Sequence, residues 1–199
     1  MSYVIAIGRE YGSGGRYVGQ ELAKKLNIKF YDSELINKVA EETGLCVEYI
    51  KDNDEKKDSF FAYVGLNEST SFLTASQRVS LAQFKTIQKL AEKNESFVIV
   101  GRCADYVLRD YKNLVSVFIM ADEESKIERA VTFYGINKDK ASEILKKMDK
   151  NRASYYNYFT DRKWGKASNY DICVSSSIGI KETVDVIEAF VKSKLKDQF

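Results

Sequence analysis

The first apolar run of the chain, Tyr3-Val4-Ile5-Ala6-Ile7, stops at Gly8 and gives way to Arg9-Glu10-Tyr11-Gly12-Ser13-Gly14-Gly15-Arg16. Helix-compatible sequence from Tyr17 to Leu26 follows. A strand feeding a glycine-rich turn and then a helix constrains the fold more than any other feature here. The N–H groups of such a turn and the orphan amides of the helix start converge on one point and attract an anion. Gly12, Gly14 and Gly15 let a phosphate come close to the main chain, because no Cβ stands in the way.

Four further apolar stretches share the character of the first. Phe97–Val100, Val115–Ile119 and Ile172–Val174, with a weaker run at Lys29–Tyr31, join Val4–Ile7 as expected strands. They are rich in β-branched or aromatic residues and are continuous rather than alternating, which suits parallel strands covered on both faces. Expected helices lie between them at Arg16–Leu26, Ser33–Thr43, Ser76–Lys93, Asp122–Tyr134, Lys138–Tyr158 and Lys181–Leu195. Strands alternating with helices predict an α/β fold, a three-layer, doubly wound, parallel five-stranded sheet in a single domain. Two segments break the order. Lys51–Thr74 carries a charge cluster and then aromatics without a period, and Asp149–Ser168 is dense in Arg, Lys and aromatic residues. Long irregular insertions are often functional flaps.

The chain has no histidine, which removes Ser-His-Asp and Cys-His catalysis and His-built zinc sites together. Chemistry must rest on Asp, Glu, Lys, Arg, backbone amides or a hard metal, and phosphoryl transfer fits that inventory. A net charge of +2 is too small to argue for nucleic acid as a partner, and no basic stripe with interleaved aromatics runs along one element, so none is expected. No apolar stretch is long enough for a membrane span or a signal peptide. Cys46, Cys103 and Cys173 are odd in number and widely spaced, as expected of reduced thiols in a cytoplasmic protein.

Measured against a Walker A loop, G-x-x-x-x-G-K-[ST], the turn is incomplete. After Gly14 the lysine position holds Gly15 and the hydroxyl position holds Arg16. Arg16 is the obvious replacement charge, one residue displaced, since a guanidinium grips phosphate oxygens bidentately. It cannot ligate Mg²⁺, which leaves Ser13 or water for that task.

The order of motifs resembles the cytidylate kinase-like proteins, a branch of the P-loop nucleoside monophosphate kinases. The residues that carry the resemblance are Arg9–Arg16, Phe30-Tyr-Asp-Ser-Glu-Leu35, Val98-Ile-Val-Gly-Arg-Cys-Ala-Asp105, and Tyr155-Tyr-Asn-Tyr-Phe159 with Lys163-Trp-Gly165 and Asn169-Tyr-Asp171. The resemblance implies a P-loop fold with an acceptor-side insertion at 51–74 and a lid at 138–168. It also implies ATP and Mg²⁺ as cofactors and nucleotides as substrates. Gly12, Ser13, Gly14, Gly15, Arg16 and Tyr17 would then hold ATP phosphates, with Asn169 near the adenine. Arg102, at the end of a strand, would clamp the acceptor monophosphate, and Asp32 and Asp105 would lie close to that acceptor. Ser13 and Asp105 are the candidate Mg²⁺ ligands. Arg129 and Arg152, with Lys147, Arg162 and Lys163 as weaker candidates, would bring cations onto the transferring group.

Each of these has a plainer alternative. Asp32 and Asp122 could be helix N-caps and nothing more. Asp105 could pair with Arg102, or serve only as a first-turn carboxylate. Asn169 and Asp171 suit a tight turn before a strand. The aromatics at 155–159 and Trp164 could stack on a base, pack the lid, or meet a second copy in a homodimer. The expected activity is ATP-dependent phosphorylation of a nucleoside monophosphate (an EC 2.7.4-type kinase), with CMP or dCMP favoured by the family resemblance. A P-loop kinase for another small acceptor is the alternative. So is a nucleotide-binding, regulatory protein with little catalysis, because the Walker lysine is missing.

Overall fold

A computed structural model of the chain describes residues 2–42 and 74–196. Five parallel strands, β1 (Val4–Arg9), β2 (Lys29–Tyr31), β3 (Phe97–Val100), β4 (Leu114–Met120) and β5 (Ile172–Ser175), lie in the order β2-β3-β1-β4-β5. β1 is central. Val4 is in register with both Phe97 and Leu114, so β1 hydrogen-bonds on either side. The described helices are α1 (Gly15–Lys25), α2 (Ser33–Glu42), α3 (Ala75–Glu92), α4 (Ala104–Val107), α5 (Glu123–Tyr134), α6 (Lys138–Thr160) and α7 (Ile180–Lys194).

The pleat sorts β1 between two cores. Ile5 and Ile7 join Val18 and Leu22 of α1 and Val184, Ile187 and Val191 of α7 on one face. Val4 and Ala6 join Ile36 of α2, Ile87 and Leu90 of α3, and Leu108 on the other. Both faces are therefore covered, as continuous apolar strands require. Ile5, Ile7, Phe97 and Ile99 are essentially inaccessible, and each such side chain contributes about 1.5–3 kcal/mol of burial.

The helix expected over Lys138–Tyr158 runs to Thr160, so most of the Arg-, Lys- and aromatic-rich stretch Asp149–Ser168 is regular helix and only its end, from Asp161, is irregular. Tyr156 and Thr160 bury themselves along one side, and α6 stops where Asp161 turns left-handed at φ 50°. The one-turn helix α4 had no recognisable period in the sequence. The acceptor-side insertion expected over 51–74 lies outside the described residues except for Thr74, which caps α3 by accepting from the Gln77 amide. Cys46 also falls outside them, while Cys103 and Cys173 are free. Among the described residues no helix is long and apolar enough to cross a membrane.

Candidate active site

Because β1 sits between β3 and β4, the sheet's switch point lies beyond its carboxyl end, where ligands of doubly wound folds bind. The glycine turn occupies this place. Gly12 and Gly14 take φ of 78° and 71°, and Gly14 is the N-cap of α1. Among the described residues, no protein acceptor takes the N–H groups of Gly12, Gly14, Gly15, Arg16 or Tyr17. The carbonyl side of the turn is fastened instead. Ser13 Oγ donates to the Glu10 carbonyl at 2.8 Å, and Ser176 Oγ donates to the Ser13 carbonyl at 2.6 Å. A loop tied by its carbonyls with these five amides unused is a donor surface.

α5 and α6 brace the turn. Lys126 pairs with Glu10 at 2.9 Å, and a Cβ on Gly12 would come within 2.7 Å of the Lys126 carbonyl oxygen. Asp149 accepts from the Tyr11 N–H at 2.6 Å, and burial pushes its carboxyl above the usual range. Arg152, three residues on, donates to the Arg9 carbonyl at 3.0 Å and lies 5.2 Å from the Tyr11 ring centroid. Arg129 donates to both oxygens of Ser176, at 3.1 and 2.7 Å. Its Cδ and Nε would lie 3.7 and 3.8 Å from a Cβ on Gly14. Two of the expected arginines therefore border the turn.

A cavity of about 350 Å³ opens beside it, lined by Arg9, Arg102 and Arg152 and walled by Tyr155, Trp164 and Tyr170. Gly101, Arg102 and Cys103 follow β3 with φ of 86°, 55° and 53°, a left-handed run in which only the first residue is glycine. Arg102 thereby turns back into the crevice, with its Nε buried and lacking an acceptor. None of the three guanidiniums is in an ion pair among the described residues. Burial first, then Arg152 and Arg102, bring the pKa of Arg9 down to about 9. Burial likewise lowers that of Arg152. Asp105 also lines the cavity, but its carboxyl accepts from Tyr156 and pairs with none of the three, and converging cations left without an ion-pair partner suit a polyanion.

The other candidates have protein partners. Arg16 is committed to Asp32, with Nε and Nη2 both 2.8 Å from Oδ2. Asp32 also accepts from the amides of Glu34 and Leu35, which caps α2. Asp105 is buried and accepts from Tyr156 Oη at 2.7 Å, and desolvation raises its pKa. Tyr17 packs on Phe133 with ring centroids 4.8 Å apart. Asn169 donates to the Lys163 carbonyl, and Asp171 takes both the amide and the hydroxyl of Ser116. Arg162 lies over the Tyr106 ring, and Lys147 is exposed. Asp122 caps α5 through the Ser125 amide, which helps hold its carboxyl at about 2. The Cys103 thiol is buried and pushed well up, far from thiolate character.

The residues that sequence reasoning passed over are Arg9, Glu10, Lys126, Asp149 as a turn partner, and Ser176. Arg9 left a signal. It shares the parity of Ile5 and Ile7, so the pleat aims it toward the start of α1. Among the described residues no group of three or more His, Cys, Asp or Glu side chains could hold a metal ion.

The model of the cytidylate kinase-like family matches residues 4–178. An uncharacterized protein from Eubacterium ventriosum is 34% identical, with a TM-score of 0.76, covering 96% of this chain and 99% of its own. Shikimate kinase from Bacteroides thetaiotaomicron is 14% identical with a TM-score of 0.56, covering 96% of this chain and 98% of that one. A gluconokinase from Sinorhizobium meliloti is 15% identical with a TM-score of 0.56, covering 98% and 95%. These last two share the P-loop kinase fold. A search of curated proteins finds no match. The strand order, the glycine turn and the family match over most of the length agree: the chain belongs to the cytidylate kinase-like family.

Proposed function

We propose that this protein is an ATP-dependent kinase that phosphorylates a nucleoside monophosphate, with CMP or dCMP favoured by family membership. The observation that carries the reading is the convergence of Arg9, Arg102 and Arg152 on one cavity next to a turn with unused amides. The donor set fits a nucleoside triphosphate. The amides of Gly12, Gly14, Gly15, Arg16 and Tyr17 bind phosphate oxygens, and Arg129 adds a cation beside Gly14. For Mg²⁺ the protein supplies at most the Ser13 hydroxyl, which suits an ion that keeps water and phosphate oxygens as ligands. When bound, the ion supplies neutralisation of charge on the phosphates.

Arg102 holds the acceptor phosphate from the end of β3, and Arg152 reaches the space between acceptor and turn from α6. A phosphate monoester is largely ionised near neutral pH, its second pKa being about 6, so no general base is needed. Tyr155, Trp164 and Tyr170 shield the site from water, which protects ATP from wasteful hydrolysis. Preorganised cations of this kind each contribute about 10²–10³ in rate.

The test is ADP release from Mg-ATP with a panel of nucleoside monophosphates and small non-nucleotide hydroxy acids. Turnover confined to CMP or dCMP supports the reading in full. Turnover confined to a hydroxy acid would replace the acceptor, and ATP binding without turnover on any acceptor would replace the activity.

A further inference from the structure

We propose that Arg9 takes over the task of the missing Walker lysine, and that Gly15 is glycine because the Arg9 side chain fills the space a side chain at position 15 would need. This rests on the phosphoryl-transfer reading above.

The argument begins with the pleat. Arg9 ends β1 on the side of Ile5 and Ile7, which face α1. A Cβ built on Gly15 would lie 2.7 Å from Arg9 Cβ and 3.0 Å from Cγ. Those are the root atoms of the arginine, fixed by the strand, and they cannot swing aside as the tip of a flexible chain can. Side chains at positions 9 and 15 therefore exclude each other. In a Walker loop the first position is glycine and the seventh lysine. Here Arg9 stands first and Gly15 seventh, so the large and small residues have changed places and the cation moves to the other member of the pair.

The far end of the side chain agrees. A Cβ on Gly101 would meet Arg9 Nη1 at 2.1 Å, so the guanidinium rests on the left-handed turn after β3, next to Arg102. It makes no ion pair among the described residues and shares its cavity with two more arginines. The rival cations are engaged. Arg16 is half-exposed and paired with Asp32, and Arg129 is held by Ser176.

The test is a reciprocal exchange read by binding of inorganic pyrophosphate and of Mg-ATP, with melting temperature followed in parallel. Arg9→Met keeps the bulk and removes the charge. It is expected to lower affinity for both probes about 10–100-fold while the melting temperature holds or rises, since a cation beside like charges is removed. Arg9→Gly lowers affinity similarly, and Gly15→Lys alone lowers both stability and affinity. The double variant Arg9→Gly with Gly15→Lys recovers binding beyond either single change. Arg9→Met binding both probes within about twofold of the native protein, or a double variant no better than Arg9→Gly, would overturn the exchange. So would a native protein that binds neither probe. Binding of both probes without turnover on any acceptor defeats the proposed activity and leaves the exchange standing.

Discussion

β1 and β3 run side by side and end at the same crevice, yet their turns are built on opposite plans. After β1 the positive φ angles fall on Gly12 and Gly14. After β3 they fall on Gly101 and then on Arg102 and Cys103. A non-glycine residue in that region costs roughly 1–3 kcal/mol. The difference follows from what each turn presents to a ligand. The first presents main-chain amides, for which side chains are an obstruction. The second presents a side chain, and the strain at Arg102 is what aims it inward. On the proposed function the first turn is a backbone cradle and the second a guanidinium clamp, with Arg9 of β1 and Arg102 lining one cavity between the strand ends.

The largest expected effect comes from breaking the cradle. Gly12→Ala forces a Cβ to within 2.7 Å of the Lys126 carbonyl oxygen at a φ of 78°. Strain and overpacking together should cost about 3 kcal/mol or more in urea unfolding. A loss under about 1 kcal/mol would mean that α5 does not hold the turn. Arg102→Gly acts on the other side and splits two readouts. Relief of the left-handed strain should raise stability by about 1 kcal/mol, while turnover on the acceptor drops about 10²–10³-fold. A variant that is both less stable and fully active would remove the clamp from the comparison.

Asp105→Asn sharpens the boundary between the clamp and its support. The buried carboxyl has a folded-state pKa above its ordinary 3.8. Its contribution to stability is full below that value and is lost as pH rises through the raised folded value. The asparagine variant, which still accepts from Tyr156, should therefore be more stable than the native protein at neutral pH. The advantage should fade in acid, as thermal melts across pH would record. Turnover abolished by this change with stability intact would return Asp105 to the reacting groups. Arg16→Ala is the smallest effect. Its half-exposed pair with Asp32 is worth about 1 kcal/mol at most, screened by salt. Loss of pyrophosphate affinity as large as that of Arg9→Met would show that both arginines serve the cradle.

Much of this molecule was legible in its residues. The run Val4–Ile7, the glycines at 12 and 14 and the apolar stretches after them set strand, turn and helix, because period and φ are local requirements. Arg102 was legible too, since a residue just past a buried parallel strand has little choice but the crevice. Asp122 announced itself as a cap by standing just before an amphipathic run. The helix over Lys138–Tyr158 was legible as well, but which of its polar residues meet the glycine turn was not, because Asp149 and Arg152 look alike in sequence whether they face water or a neighbouring turn.

The sequence by itself determined the α/β architecture and the glycine-rich turn after the first strand. Only the tertiary structure decided which cations lie free beside it. Arg16, beside the turn in the chain, is drawn to Asp32, while Arg9 ends up between Gly15 and Gly101. The reason is physical. A charge is fixed in sequence, but its direction depends on the pleat of the strand below it and on which carboxylate folds within reach.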